Sequence, residues 1–445
     1  MPIARHRVFV TAILLGCTAL AAACSSGGGG GTGTDSTTSG PSSASQSAVA
    51  PQSAAASPQG GSGDSAIPVE TGPANASLTP VQVGFINTES GGLDLPSARY
   101  GFQAAIAYIN AKLGGIDGHP MQGVYCAVGA DLDSTRKCAE QFADDSSINI
   151  VAGGYIIVSD SIYPVLAAAG KPILLGSDFN KPDWTTTNTA ISFWPGSPGV
   201  DGGTVFYARD FLHAKTVAVV DSASEAGTSD IAAIKAELAA AGVNMTIDPV
   251  YVPDTAVDYT TAILASGASS ANVFIDLTGP NGCIAVAKAL KALDINAKVV
   301  STVECLDPSV VKAVGPLLTG WTIGFAVQPT QLPKGQNAQV DNYNSVFPEY
   351  STQNPNGNGT AQSFSLALSL WKIGNQIGYD KLSPATWMQG MKAFKGPVYL
   401  GAPTLSCGKS KLFPGICSLA SFWYTVTATG GLQKADGNQS FDPIP

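Results

Sequence analysis

Val81-Gln82-Val83-Gly84-Phe85-Ile86 is a short β-rich run, and the 97–113 stretch behind it repeats Phe102, Ile106 and Ile109 at helical spacing. The pair predicts a strand followed by a helix. The alternation continues with strands at 123–128, 148–152 and 172–175 and helices at 134–144 and 159–169. A second cycle opens at Ala214, with strands at 216–220, 249–252, 273–277 and 299–303 and helices at 229–241, 259–265 and 283–293. Serial βα units imply parallel sheets covered by helices on both faces, here as two α/β lobes in series. Ligands in such sheets collect outside the carboxyl ends of the strands, so two facing lobes predict a cleft between those ends.

The 445 residues are 44% hydrophobic and 12% charged, too apolar for a disordered chain and long enough for two or three domains. A net charge of −9 leaves no basic excess for a phosphate backbone, so no nucleic-acid partner is expected. Only His6, His119 and His213 are present, which argues against histidine-rich metal sites.

The first 23 residues read as an export signal: Arg5 and Arg7, an apolar run from Val8 to Leu15, then Leu20-Ala21-Ala22-Ala23. Cys24 after these small residues resembles the lipobox of bacterial lipoproteins, which implies acylation of Cys24 and attachment to the membrane through lipid. The leucine stands one position earlier than in that pattern, and an ordinary secretory signal is the alternative. Residues 24–78 are rich in Gly, Ser, Thr and Pro and predict a flexible leash. Apart from Cys17 and Cys24, six cysteines remain, Cys126, Cys138, Cys283, Cys305, Cys407 and Cys417, and they allow fifteen pairings. They form three local couples, 126 with 138, 283 with 305 and 407 with 417, which suits disulfides; zinc is disfavoured because no Cys-x-x-Cys occurs.

The stretch from Pro80 to Ser177 resembles type I periplasmic solute-binding proteins of the branched-chain amino acid and amide group, receptors of ABC importers. The resembling pieces are Thr88-Glu89-Ser90-Gly91-Gly92 after the first strand, a helix ending Ala107-Tyr108-Ile109-Asn110, and the turn from Gly114 to Pro120. The Val151-Ala152-Gly153-Gly154 and Gly170-Lys171-Pro172-Ile173 runs, Trp321 to Gln328 and the helix near Phe364 to Ile377 extend the likeness. The resemblance implies two doubly wound lobes joined by a three-strand hinge. Lobe one would hold 79–197 and 328–390, and lobe two 198–327 and 391–445. It implies a monomer that captures a small solute by lobe closure and delivers it to an ABC permease, with no cofactor and no metal.

Strand ends give the candidate contacts: Thr88, Ser90, Tyr155, Ile156, Ser177, Asp178 and Phe179 in lobe one, and Glu225, Thr278, Glu304 and Phe325 in lobe two. Phe179, Trp184, Trp194 and Phe325 are candidates for an apolar wall. The resemblance places a hydroxyl residue near Asp178 to take a ligand carboxylate. An aspartate there would repel one, so either the ligand lacks a carboxylate or Asp178 points away. Ala226 stands where the resemblance places a covering tyrosine. Catalysis finds little support: no Gly-x-Ser-x-Gly occurs, and the hydrolase alternative rests on Asp178 facing Glu304 across the cleft. A second alternative is a lipoprotein that senses a solute for a signalling partner.

Overall fold

A computed structural model describes residues 66–90, 95–253 and 255–435. The signal peptide, Cys24, most of the expected leash and Gly91-Gly92 of the first loop lie outside the described residues, as does the side chain of Glu225. The first sheet is built from β1 (Val81–Thr88), α1 (Pro96–Lys112), β2 (Met121–Val128), α2 (Leu132–Asp144), β3 (Ile148–Gly153), α3 (Ile162–Ala168), β4 (Ile173–Leu175), α4 (Lys181–Thr185) and β5 (Ala190–Ser192). All its strand pairs are parallel, in the order β2-β1-β3-β4-β5.

The second cycle runs α5 (Gly196–Asp210), β6 (Val217–Ser222), α6 (Glu225–Ala240), β7 (Pro249–Val252), α7 (Thr260–Ala265), β8 (Val273–Leu277), α8 (Pro280–Ala292), β9 (Lys298–Thr302), α9 (Pro308–Val314) and β10 (Thr322–Phe325). The chain then returns through α10 (Ala338–Tyr350), α11 (Thr360–Ile377) and α12 (Pro384–Ala393) to pack on the first sheet, before β11 (Phe422–Val426) and β12 (Leu432–Lys434) join the second. That sheet is ordered β12-β11-β10-β9-β8-β6-β7, so its parallel part repeats the strand order of the first. The antiparallel pairs β10–β11 and β11–β12 extend one edge.

Side-chain alternation separates the two faces of the first sheet. Phe85, Ala152 and Leu174 pack toward α1 and α11, while Ile86, Val151 and Ile173 pack toward α2 and α3. Gly84 lets the Phe142 ring of α2 rest on β1, where a Cβ would lie 2.8 Å from the ring. Helix α2 begins at residue 132 because the Asp131 carboxylate accepts the Ser134 N–H at 2.8 Å. Helix α3 starts later than the expected 159, since the Ser159 hydroxyl is engaged by Asp183. The glycine-rich start of α5 has no helical signature in the sequence. Close packing accounts for it: a Cβ on Gly199 would lie 2.6 Å from the Leu419 carbonyl, and one on Gly203 would lie 2.9 Å from Trp423.

Two boundaries differ from expectation. The leash does not extend to residue 78: Ala66 is buried, and the Thr71 and Gly72 N–H groups donate to the Lys112 carbonyl at 2.9 and 3.0 Å. Ala74 N–H donates likewise to Asn110, so this segment satisfies carbonyls that the last turn of α1 leaves free. Residues 405–417, expected in lobe two, pair with β5 of the first sheet. Ser192 N–H donates to Gly415 at 2.9 Å, and Cys417 N–H donates back to Ser192 at 2.8 Å. The three local disulfides join Cys126 to Cys138, Cys283 to Cys305 and Cys407 to Cys417.

Helices α1 and α11 meet closely at Gly101, where a Cβ would lie 2.0 Å from the Thr360 carbonyl oxygen. Gly101→Ala must therefore push α11 away, and overpacking of this kind costs about 1–3 kcal/mol. The expected result is a lower urea midpoint, measured by circular dichroism, with secondary structure retained.

Candidate functional site

The carboxyl ends of both sheets open into a cleft with about 110 Å³ of solvent-accessible space. From the first sheet come Tyr155 after β3 and Ser177 and Phe179 after β4. The second contributes Thr302 and Glu304 at the end of β9 and Phe325 through Gln331 at and after β10. Ser197 and Asp201 on α5, residues 355–359 before α11, and Ala361 and Gln362 in its first turn complete the wall.

Tyr155 is fixed at both ends. Its N–H donates to Asn87 Oδ1 at 2.9 Å, and its hydroxyl donates to Gln362 Oε1 at 3.0 Å. Gly154 precedes it because a Cβ there would lie 2.5 Å from Asn87 Oδ1. The Gln362 side-chain amide donates to the Gly176 carbonyl, so one glutamine ties together the ends of β3 and β4. Phe179 is placed by Asp183, which accepts the Phe179 and Asn180 N–H groups at 2.8 and 2.9 Å. Asp183 also accepts the Ser159 and Tyr163 hydroxyls, joining the loop after β3 to the start of α4. The rings of Tyr155 and Phe179 lie 5.6 Å apart, tilted to one another.

Of the residues singled out in the sequence, Tyr155, Ser177, Phe179, Glu304 and Phe325 line the cleft together. The others do not. Thr88 is buried, its hydroxyl accepting the Ile157 N–H at 3.3 Å. Ser90 is exposed outside the lining, and Ile156 belongs to the core beneath the first sheet. The Thr278 hydroxyl donates to Asp276 Oδ1 at 2.6 Å. Trp184 packs on Phe413 and Trp194 on Phe193, both in the core instead of the wall. Asp178 is fully buried behind the start of α5, where a Cβ on Gly196 would lie 2.6 Å from the Asp178 Cβ. It therefore points away from the cleft and does not face Glu304, which removes the carboxylate pair that a glycosidase reading needs.

Asp201, Ser197, Gln328, Asn356 and Gln362 were not identified from sequence. Asp201 lies on the glycine-rich helix α5, and Asn356 in a run of Asn, Pro and Gly that reads only as a turn.

The electrostatics of the cleft are one-sided. Asp201 and Glu304 line it, and no lysine, arginine or histidine does among the described residues. Burial, then Glu304, then Asp221 hold the Asp201 carboxyl well above the ordinary carboxylate range. Burial, followed by Asp201 and Asp221, does the same for Asp230 on α6. Deeper in the second sheet, burial raises Asp276 to about 7. It approaches the sulfurs of Cys283 and Cys305, which are joined to each other and offer no thiolate to a metal.

A family model described as periplasmic binding protein matches residues 80–410. The chain belongs to that family. No curated protein sequence matches it. Solved structures share the two-lobe type I architecture. An ABC transporter substrate-binding protein from Sphaerobacter thermophilus superposes with a TM-score of 0.70 at 13% identity, covering 82% of this chain and 99% of its own. A leucine-binding protein from Thermotoga maritima gives 0.65 at 13% identity, with the same coverage. A solute-binding protein from R. palustris in complex with 4-hydroxybenzoate gives 0.65 at 16% identity, covering 82% of this chain and 98% of its own. Among the described residues of this periplasmic binding protein, no helix is long and apolar enough to cross a membrane.

Burial first, and Asp183 second, raise the Asp178 carboxyl far above its ordinary range. The unfolded chain therefore loses this proton at lower pH than the folded one, and stability falls as pH rises from about 4 toward the folded pKa. Asp178→Asn keeps the shape and removes that loss. Its stability advantage over the parent is expected to grow between pH 4 and pH 8, measured by urea denaturation across that range.

Proposed function

We propose that the protein is the extracytoplasmic solute receptor of an ABC importer, held to the membrane by a lipid on Cys24. The observation that carries the reading is the cleft itself, walled by strand ends of two sheets that the chain joins through three crossings. Those crossings run through 193–195, 326–337 and 394–421. Walls on separate sheets can approach one another as rigid bodies, so a solute that contacts both stabilises the shut state and is enclosed. Among the described residues the cleft lining holds no histidine or cysteine, which favours capture and release of an unaltered solute. Export fits the three disulfides, and the family and the importer components among the similar structures support transport over sensing.

Two experiments test this reading. A small-metabolite panel is expected to contain a solute that raises the melting temperature, since a ligand at 100 times its Kd adds about 2.7 kcal/mol. The bound solute should be recovered chemically intact; its conversion to a product would overturn the assignment. Metabolic labelling with an alkyne fatty acid should tag the chain in a bacterial host, and Cys24→Ala should abolish the tag and release protein to the medium.

A further inference from the structure

We propose that the cleft selects a small organic cation that carries no carboxylate, an amine seated between Asp201 and Glu304 against the rings of Tyr155 and Phe325. The inference rests on the solute-capture reading and names its substrate class. Asp201 and Glu304 line the cleft, and the charged groups acting on Asp201 are Glu304 and Asp221, all acidic. Behind them Asp230 is only 9% exposed, and its Oδ1 has no hydrogen-bond partner among the described residues. The groups facing Asp230 are Asp201, Asp221, Glu304 and the Ser197 hydroxyl, with Tyr251 of β7 alongside. Among the described residues, no basic side chain of α5, β6, α6, β7 or the turn after β9 acts on Asp201 or Asp230.

Closing the lobes would strip water from these carboxyls, and an ionised acid without a counter-charge is costly to bury. A cationic ligand supplies the missing charge and adds N–H donors to acids that within the protein meet only hydroxyls, Ser197 beside Asp201 and Asp230 and Thr302 beside Glu304, and one another. A carboxylate ligand would meet repulsion. On the opposite wall, the Tyr155 hydroxyl and the Gln362 amide are already used within the protein: Tyr155 donates to Gln362, and Gln362 donates to Gly176. What Tyr155 and Phe325 present is aromatic surface, which attracts a cation held near a ring face. Binding should also release protons, because a nearby positive charge favours the ionised form of acids whose pKa is raised in the free protein. Affinity should therefore rise with pH.

The test uses the full chain purified in detergent, with putrescine, tyramine and choline set against leucine, 4-hydroxybenzoate and calcium chloride. At least one of the three cations is expected to raise the melting temperature. Calorimetry in two buffers of different ionisation enthalpy should record proton release, and both Asp201→Asn and Glu304→Gln should weaken binding at least tenfold. Binding of leucine or 4-hydroxybenzoate but of none of the amines would overturn the cation assignment and leave solute capture standing. Calcium alone giving the full stabilisation would replace the organic cation with a metal and overturn it too. Silence from all six probes also ends the cation inference, while the wider metabolite panel judges capture independently.

Discussion

Parallel pairing is the constraint from which the rest follows. Strands that run the same way cannot be joined by hairpins, so each must be followed by a crossover helix. Every strand of the parallel set then releases its chain at the same end, and in both sheets that end is where loops converge on the cleft. The shared strand order of the two sheets gives each a similar set of loop positions. Chemistry differs between them because the loops differ: the first sheet offers aromatic rings braced by amides, the second offers carboxyls.

The braces deserve as much weight as the lining. Gln362 enters from α11, more than 180 residues after Gly176, and its two amide atoms hold β3 and β4 ends in place. Asp183 does similar work for Phe179 through four hydrogen bonds. Neither residue touches the cleft as a charge, yet each fixes a ring that does. Such groups are satisfied internally, whereas Asp201, Asp230 and Glu304 meet hydroxyls and other acids but form no salt bridge among the described residues.

The α/β class and most of the first ten strands could be read from apolar runs and helical spacing, because parallel strands buried on both faces leave a strong hydrophobic signal. Helix α5 was invisible, since its glycines reflect close contact with Leu419 and Trp423 and not any local preference. The C-terminal strands β11 and β12 also escaped notice; they take their place as an antiparallel edge only once β10 is there to pair with. In the cleft, residues directly after strands were legible: Tyr155, Ser177, Phe179, Glu304 and Phe325. Asp201 and Gln362 were not, because they reach it from helices whose position is set by tertiary packing. Asp178 was misplaced by one residue's worth of direction. Its neighbours on either side face the cleft while it turns inward.

The third crossing has a mechanical consequence. Cys407 is bonded to Cys417, and Cys417 is in turn pinned to Ser192, so most of that crossing is anchored to the first sheet. Only residues 418–421 remain between the anchored loop and β11. The first crossing, 193–195, is equally brief. Two tethers this short act as a stiff flexure and not as a loose joint. A flexure of that kind would favour twisting about one pivot over sideways sliding of one half past the other.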